Sequence, residues 1–380
     1  MKLPHEIEQK MLEILKLPNM SKRNVPSYTN KLSKIRTQMH TLSHDFARLK
    51  STEEKYADAY FAYNFPMNVM KVMTVAKEFQ NIYSKLFSHT ARLNILDVGC
   101  GDGAGMLGLY YRFKDANNIS LTGIDASSLM LKRTQELMGW LKSHDPSLDV
   151  KLMKRKISPN LFKKTKQQYD IILFANALAE IFSTDKISLT FIEQILKCTT
   201  RDGIVIIIEP ALKKFSRRLM NLRTEIIKTE KSSILLPCLH EYPCALLNVR
   251  KHREWCHQSV PWEPPDFMKI INRGLNREID HLKFSYLVIA KKNYKKSFCN
   301  GFRVISHVLK EKGKKRCFLC NQNRRVELVR LNKSKNTFNT PFDEISKGDI
   351  IALKRVIQKK LHYWQIEGNT EVKILTKAKG

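Results

Sequence analysis

Residues 94–110 read NILDVGCGDGAGMLGLY. A short apolar strand, 94–98, runs into three alternating glycines, Gly99, Gly101 and Gly103, and then into a helical stretch, 104–113. Between a strand and a helix such a loop has a physical meaning, because glycine lets the backbone turn tightly and approach a bound molecule. Asp97, just before the first glycine, places a carboxylate where an ammonium or a water network could be held. The next strand, 121–124, ends at Asp125, which is placed to accept both ribose hydroxyls of an adenosine. Further apolar strands at 150–157, 169–174 and 203–208 alternate with helices at 127–141 and 186–199. Ser127 or Asp125 supplies the cap of the first of these helices. This alternation predicts a doubly wound parallel sheet covered on both faces. The segment 281–291, HLKFSYLVIAK, is placed to close that sheet as a late, antiparallel strand.

On either side the pattern changes. Residues 1–90 show helical spacing of apolar positions over 1–17, 25–49 and 58–87, with Pro66 as an expected break or bend. After the fifth strand a basic helix, 212–229, leads into a stretch rich in Cys, His, Pro and Trp without periodicity. Residues 211–281 therefore read as an insertion near the C-terminal edge of the sheet, where ligands bind in such folds. From 294 to 380 short β-like runs at 302–309, 325–331, 349–356 and 373–375 are separated by turns such as Lys347-Gly348-Asp349. The organisation predicted is a helical region 1–90, an α/β domain 91–293 carrying the 211–281 insertion, and a small basic β-rich domain 294–380. An OB-like barrel is one candidate for the last.

The chain of 380 residues carries 67 Lys and Arg against 36 Asp and Glu, a formal charge of +31. Self-repulsion on that scale destabilises a compact state, and the usual compensation is a polyanion. Residues 291–380 hold 23 of the basic residues and 7 of the acidic ones. Nucleic acid is the partner this favours over an anionic membrane surface, since no basic amphipathic membrane helix stands out. No apolar stretch is long enough to span a bilayer. The opening segment, with Glu6, Glu8 and Glu13, lacks the features of a secretory or transit peptide, so a cytoplasmic protein is expected.

The order D-x-G-x-G-x-G, with the acid before the first glycine, looks like the S-adenosylmethionine-dependent methyltransferases rather than the dehydrogenases. The fold class expected is α/β: a class I S-adenosylmethionine-dependent methyltransferase (Rossmann-like) sheet with a helical N-terminal region and a β-rich C-terminal domain. The fourth strand ends in Phe174-Ala175-Asn176-Ala177-Leu178-Ala179-Glu180, facing the cofactor's methyl group in this fold. The Asn/Asp-Pro-Pro-Tyr found there in many amide- and base-methylating enzymes is missing. No cysteine is placed as an evident nucleophile. Cofactor binding through Asp97, Gly99, Gly101, Gly103, Asp125 and Asn176 is thus indicated, while the catalytic residues stay unknown.

Of eight cysteines, Cys238, Cys244 and Cys256 follow a C-x5-C-x11-C spacing, and Cys317 and Cys320 come much later. An ordinary zinc ribbon needs C-x2-C pairs in that first stretch and finds none. Four thiolates gathered from a loop and a distant strand could hold an iron–sulfur cluster or zinc, with His240 and His257 as adjacent alternatives. Small buried cysteines in the core are the competing reading.

Several segments in order resemble a known family, the mitochondrial-type small-ribosomal-subunit assembly factors (the methyltransferase-like Rsm family), which has bacterial relatives. They are LPHEIEQKMLEIL, ADAYFAYNFPMNVMKV (57–72), LDVGCGDGAG, YDIILFANALAEI, IIIEPALKKFSRRL (206–219), PCLHEYPC, EWCHQS, LKFSYLVIAKK and the later KGKKRCFLC. The resemblance implies an rRNA-binding factor of the small ribosomal subunit, a bacterial-type member acting as a monomer on the ribosome. It also implies an iron–sulfur cluster, 4Fe-4S with zinc as the alternative, on Cys238, Cys244, Cys256 and Cys320. The second-to-third cysteine spacing is longer than in mitochondrial members, and the segment after Glu209-Pro210 lacks their Gly-Thr. An active S-adenosylmethionine-dependent rRNA methyltransferase, with a base or ribose hydroxyl approaching near Asn176 and Glu209, is the alternative function. A small-molecule methyltransferase fits the charge poorly.

Overall fold

The computed structural model describes residues 1–17, 26–44, 56–84, 86–87, 90–115, 118–163, 165–182, 187–247, 254–291, 300–321 and 324–378. Cys299, Lys186 and the middle of the cysteine-rich stretch, 248–253, lie outside them. The chain forms two compact units. The first comprises Met1–Ala76, Thr90–Ser158 and Pro261–Leu282; the second comprises Lys77–His89, Pro159–Val260 and Lys283–Gly380.

In the first unit, helices α1 (His5–Ile14), α2 (Pro26–His44) and the start of α3 (Ala57–Ile82) precede the strand β1 (Arg92–Val98). There follow α4 (Ala104–Phe113), β2 (Asn118–Asp125), α5 (Ser128–His144) and β3 (Asp149–Lys154). The strands run parallel in the order β3-β2-β1, with Asp97 opposite Gly123 and Asp125 opposite Lys154. The Ser127 hydroxyl accepts the Met130 N–H at 3.3 Å and caps α5. Pro66 was expected to break or bend its helix, yet α3 continues through it for 26 residues. Burial of Phe61, Phe65, Val69 and Met70 around the proline offsets the lost backbone hydrogen bond.

In the second unit, β4 (Tyr169–Ala175), α6 (Leu178–Ile181), α7 (Leu189–Lys197), β5 (Thr199–Pro210), α8 (Lys213–Thr229) and β6 (Ser232–Leu236) follow in turn. β4 is apolar and interior nearly throughout, as a strand covered on both faces must be. It pairs parallel with β5. The segment read as aperiodic holds regular structure: β6, β7 (Gln258–Pro261) and, in the first unit, α9 (Asp266–Gly274). These elements are too short for periodicity to show. β8 (His281–Lys291) returns antiparallel to β5, with Leu287 opposite Ile207, and β6 adds antiparallel to β8. Parallel strands in the order β3-β2-β1 in one unit, and parallel β4-β5 followed by antiparallel β8 in the other, are the strands of a class I S-adenosylmethionine-dependent methyltransferase fold, Rossmann-like and α/β.

The second unit also contains a sheet ordered β14-β15-β12-β11-β9-β13-β16, with β10 on β11. Its strands are β9 (Phe302–Val304), β10 (Leu309–Glu311), β11 (Lys314–Asn321), β12 (Arg324–Leu331), β13 (Ile350–Lys354), β14 (Ile357–Lys360), β15 (Tyr363–Ile366) and β16 (Glu371–Thr376). Its core holds Val304, Cys317, Leu319, Val326, Leu328, Phe342 and Trp364. This is not the five-stranded OB barrel considered above: among the described residues the sheet has eight strands, and β12 and β15 pair parallel. The basic residues of β11 and β14, and the shortness of β10 and β15, hid these strands from a reading based on apolar runs.

Candidate cofactor loop and thiol site

The loop after β1 is built by its glycines and by Asp125. Gly99, Gly101 and Gly103 adopt φ of 77°, 54° and 86°, a region other residues enter only with strain. A Cβ at Gly101 would meet nothing within 4 Å, so this glycine faces open space. A Cβ at Gly103 would press on Thr134 at 3.1 Å. The Thr134 hydroxyl donates to the Gly101 carbonyl at 2.7 Å and ties the loop to α5. The N–H groups of Gly99 and Cys100 both donate to the Ile124 carbonyl, at 2.8 and 3.1 Å. Asp125 accepts the Gly101 N–H on one oxygen at 2.9 Å and the Ser127 N–H on the other at 2.8 Å. Its remaining lone pairs are free to receive further donors.

Asp97 is the exception in this ordered loop. It is 1% exposed; the Met106 N–H lies near its carboxylate, but neither oxygen has a side-chain or cationic partner among the described residues. Burial, reinforced by the charge of Asp125, pushes its pKa up to about 8. Burial likewise moves neighbouring Asp102 up to about 7. An orphaned buried carboxylate is costly unless a cation arrives to pair with it. The chemistry of this donor set suits a ligand bearing an ammonium or sulfonium. Cys100 is buried with its thiol held firmly protonated, mainly by burial, and offers no nucleophile.

Asn176 belongs to the second unit, at the end of β4. It takes φ of 60° and donates its N–H to the Ile208 carbonyl at 2.8 Å. Glu209, at the end of β5, is buried and accepts the Leu178 N–H at 3.1 Å. It thereby holds the turn into α6.

The second unit gathers the cysteines. Cys238, Cys244 and Cys256 line a cavity of about 50 Å³ together with Ser216, Arg223 and Arg303. Cys320 projects to the same region, its sulfur 3.7 Å from His240 Nε2. Burial pushes the Cys256 thiol up to about 12, and the neighbouring Cys238 and Cys244 add to it. Burial first, then Cys238, Cys256 and Cys244, raise Cys320 as well. The four thiols therefore share one electrostatic field. Among the described residues, no group of three or more His, Cys, Asp or Glu stands close enough together to hold a metal ion. Cys317 is fully buried in the apolar core of its sheet, three residues from Cys320 and so on the opposite face of β11. His257 packs nearby with Nε2 2.9 Å from Lys347 Nζ.

Two buried arginines complete the site, and neither was singled out in the sequence. Arg223 on α8 is 2% exposed and donates to Cys238 Sγ at 2.9 Å, to the Tyr242 carbonyl at 3.0 Å and to the His240 carbonyl at 2.8 Å. Burial works against its charge, but Cys238 and Cys244 outweigh that and hold its pKa above the usual value. Arg303 pairs with Glu78 at 2.6 Å and donates to the Gly348 carbonyl at 2.8 Å. The Tyr286 hydroxyl donates to the same Glu78 carboxylate. A signal for Arg223 was present: it sits at the i+4 position from Leu219 and three before Ile226, on the apolar stripe of its helix.

The sequence profile of a family described as mitochondrial small ribosomal subunit Rsm22 matches residues 54–352. No curated protein sequence matches the chain. Among solved structures, the chain is similar to the plantazolicin methyltransferase BpumL in complex with SAH, at 15% identity and TM-score 0.35 over 76% of this chain and 100% of that one. A Listeria monocytogenes protein described as a class I S-adenosylmethionine-dependent methyltransferase gives 12% identity and TM-score 0.36 over 78% and 91%. The precorrin-6y C5,15-methyltransferase of Geobacter metallireducens gives 10% and 0.33 over 59% and 88%.

Proposed function

The chain belongs to the mitochondrial small ribosomal subunit Rsm22 family, and from that premise we propose that it is an rRNA-binding assembly factor of the small ribosomal subunit, working as a monomer on that particle. In this reading the first unit holds S-adenosylmethionine, and the second holds an iron–sulfur cluster on Cys238, Cys244, Cys256 and Cys320. The observation that carries the reading is the convergence of a thiol from β11 with three from the 238–256 segment, all in one electrostatic field. Four thiolates around iron and sulfide leave a net negative charge, and Arg223 and Arg303 are buried where they would balance it. The cluster would then act as a staple between stretches far apart in sequence.

S-Adenosylmethionine, when bound, supplies a methyl group on a sulfonium. Asp97 supplies an unpaired carboxylate for its ammonium, and Asp125 keeps lone pairs for its ribose hydroxyls. Methyl transfer to rRNA is a second reading, favoured by the strained backbone of Asn176 at the end of β4.

Purification without oxygen, followed by visible spectroscopy and assay of iron, sulfide and zinc, tests the cluster. Broad absorption with stoichiometric iron and sulfide supports it; zinc alone replaces it with a structural ion; no metal removes it. Co-sedimentation with immature small subunits tests the ribosomal reading. Labelled methyl appearing on their RNA, and lost in Asp97→Ala, would establish the enzyme.

A further inference from the structure

The edge of the C-terminal sheet carries a feature that the cofactor and thiol sites do not use. β14 is the terminal strand of that sheet, and all four of its residues, Ile357 to Lys360, are exposed on both faces. It turns through Leu361 and His362 into β15, with Ile357 opposite Gln365 and Lys360 opposite Tyr363. The hairpin 354–363, KRVIQKKLHY, contains four Lys or Arg and no acid. Lys354 faces Glu371 at 3.4 Å, whereas Lys359 and Lys360 have no acidic partner among the described residues. At the turn Leu361 is 59% exposed, and Ile357 on the strand is 40% exposed.

The base of the hairpin is fixed. Arg355 takes φ of 56°, its Nε donates to the Asn369 carbonyl at 3.0 Å, and its own carbonyl accepts the Thr370 hydroxyl at 3.0 Å. Two residues on, the Val372 N–H donates to the carbonyl of Phe338, a ring 59% exposed. Exposed Ile357 and Leu361 therefore stand beside the unpaired Lys359 and Lys360 on the edge hairpin of the sheet.

We infer that the 354–363 hairpin is an RNA-docking arm: its lysines bind the phosphates of a structured RNA, and Leu361 packs against a base exposed at a helix end or internal loop. The inference rests on the rRNA-binding reading and names the element that carries it. A basic hairpin can lie along RNA phosphates, and bases splayed from an internal loop or helix end offer faces against which side chains pack. A protein strand adding to β14 is the disfavoured occupant, because lysines on an edge repel such pairing.

The test uses the full chain and a fluorescein-labelled RNA stem-loop with an internal loop, titrated over a range of salt. Lys354→Gln/Lys359→Gln/Lys360→Gln is expected to flatten the log affinity against log salt slope by about 2. A charge-matched control, Lys132→Gln/Lys142→Gln/Lys151→Gln, alters exposed lysines of the first unit and is expected to flatten it far less. Leu361→Ser should weaken binding about 10-fold, the loss of one buried leucine contact, and leave the slope unchanged. Circular dichroism of each variant confirms folding, since the altered residues are exposed. Equal losses in both lysine variants, or none in the hairpin variant, would overturn the arm and leave RNA binding standing. An unaltered affinity in Leu361→Ser would overturn the packing of Leu361 against a base. If the unaltered chain does not bind RNA at moderate salt, the rRNA-binding reading fails first.

Discussion

Cys320 of β11 stands directly opposite Arg303 of β9 in their antiparallel ladder. Partners in register project to the same face, so the last thiol and a buried cation share one side of the sheet. Cys317 occupies the other side, among Leu319, Val326 and Leu328.

This placement separates the two late cysteines experimentally. On the proposed cluster, Cys320→Ser should abolish the iron and sulfide incorporation expected after anaerobic purification. Cys317→Ser should retain both and lose about 1–3 kcal/mol of stability, because a hydroxyl is buried without a partner. Metal content and denaturant midpoints of the two variants decide the matter; loss of iron in Cys317→Ser alone would reverse the assignment.

The Glu78–Arg303 pair is 8% and 7% exposed. Arg303→Met strands the Glu78 carboxylate and should cost about 3 kcal/mol. Glu78→Gln/Arg303→Met should cost less than the single arginine variant, since no charge is left buried alone. Chemical denaturation of both variants and of Glu78→Gln closes the cycle; additive losses would mean that the pair does not act as a unit.

Asp97 makes stability depend on pH and on ligand. Its folded pKa is raised to about 8, so the folded state holds a proton that the unfolded state releases near the ordinary carboxylate value. Stability must then fall as pH rises between those two values and level off above the higher one. Asp97→Asn removes the penalty and should raise the ligand-free melting midpoint by about 3 °C at alkaline pH, with little effect in acid. On the proposed function S-adenosylmethionine should stabilise the parent thermally, and the same variant should lose that stabilisation. A parent midpoint insensitive to pH would argue that a protein group already pairs with Asp97.

Asp343 behaves oppositely. It accepts from Lys315 at 2.5 Å, Arg330 at 2.6 Å and Lys335 at 3.1 Å. Partial burial raises its pKa, but those three cations outweigh burial and hold the carboxyl well below the usual range. Its contribution is present above the ordinary carboxylate pKa and is lost as pH falls towards the depressed folded value. Asp343→Asn should cost about 3 kcal/mol at neutral pH, because Arg330 is 1% exposed. The difference from the parent should narrow in acid, which a denaturation series over pH would show.

The C-terminal charge was legible as composition but not as surface. Arg303, Arg330 and Lys347 are buried, and on α8 so are Arg218 and Arg223. Counting them as phosphate contacts overstates the charge open to a polyanion; exposed lysines such as Lys310, Lys312, Lys333, Lys373 and, on β14, Lys359 and Lys360 remain available for that.

What the chain alone determined is local. Glycine spacing, the acids ending β1 and β2, and apolar strands alternating with helices specify the α/β fold, since each depends on backbone sterics within a few residues. The choice of Cys320 over Cys317 was already implied by the family resemblance; what only the tertiary structure gave is its physical reason, Cys317 being buried in the core on the opposite face of β11. The orphaning of Asp97 and the burial of Arg303 came only from the tertiary structure. Those outcomes depend on which strand faces meet and on what remains unpaired after packing. Contacts between residues far apart in sequence set both, and no local pattern encodes them.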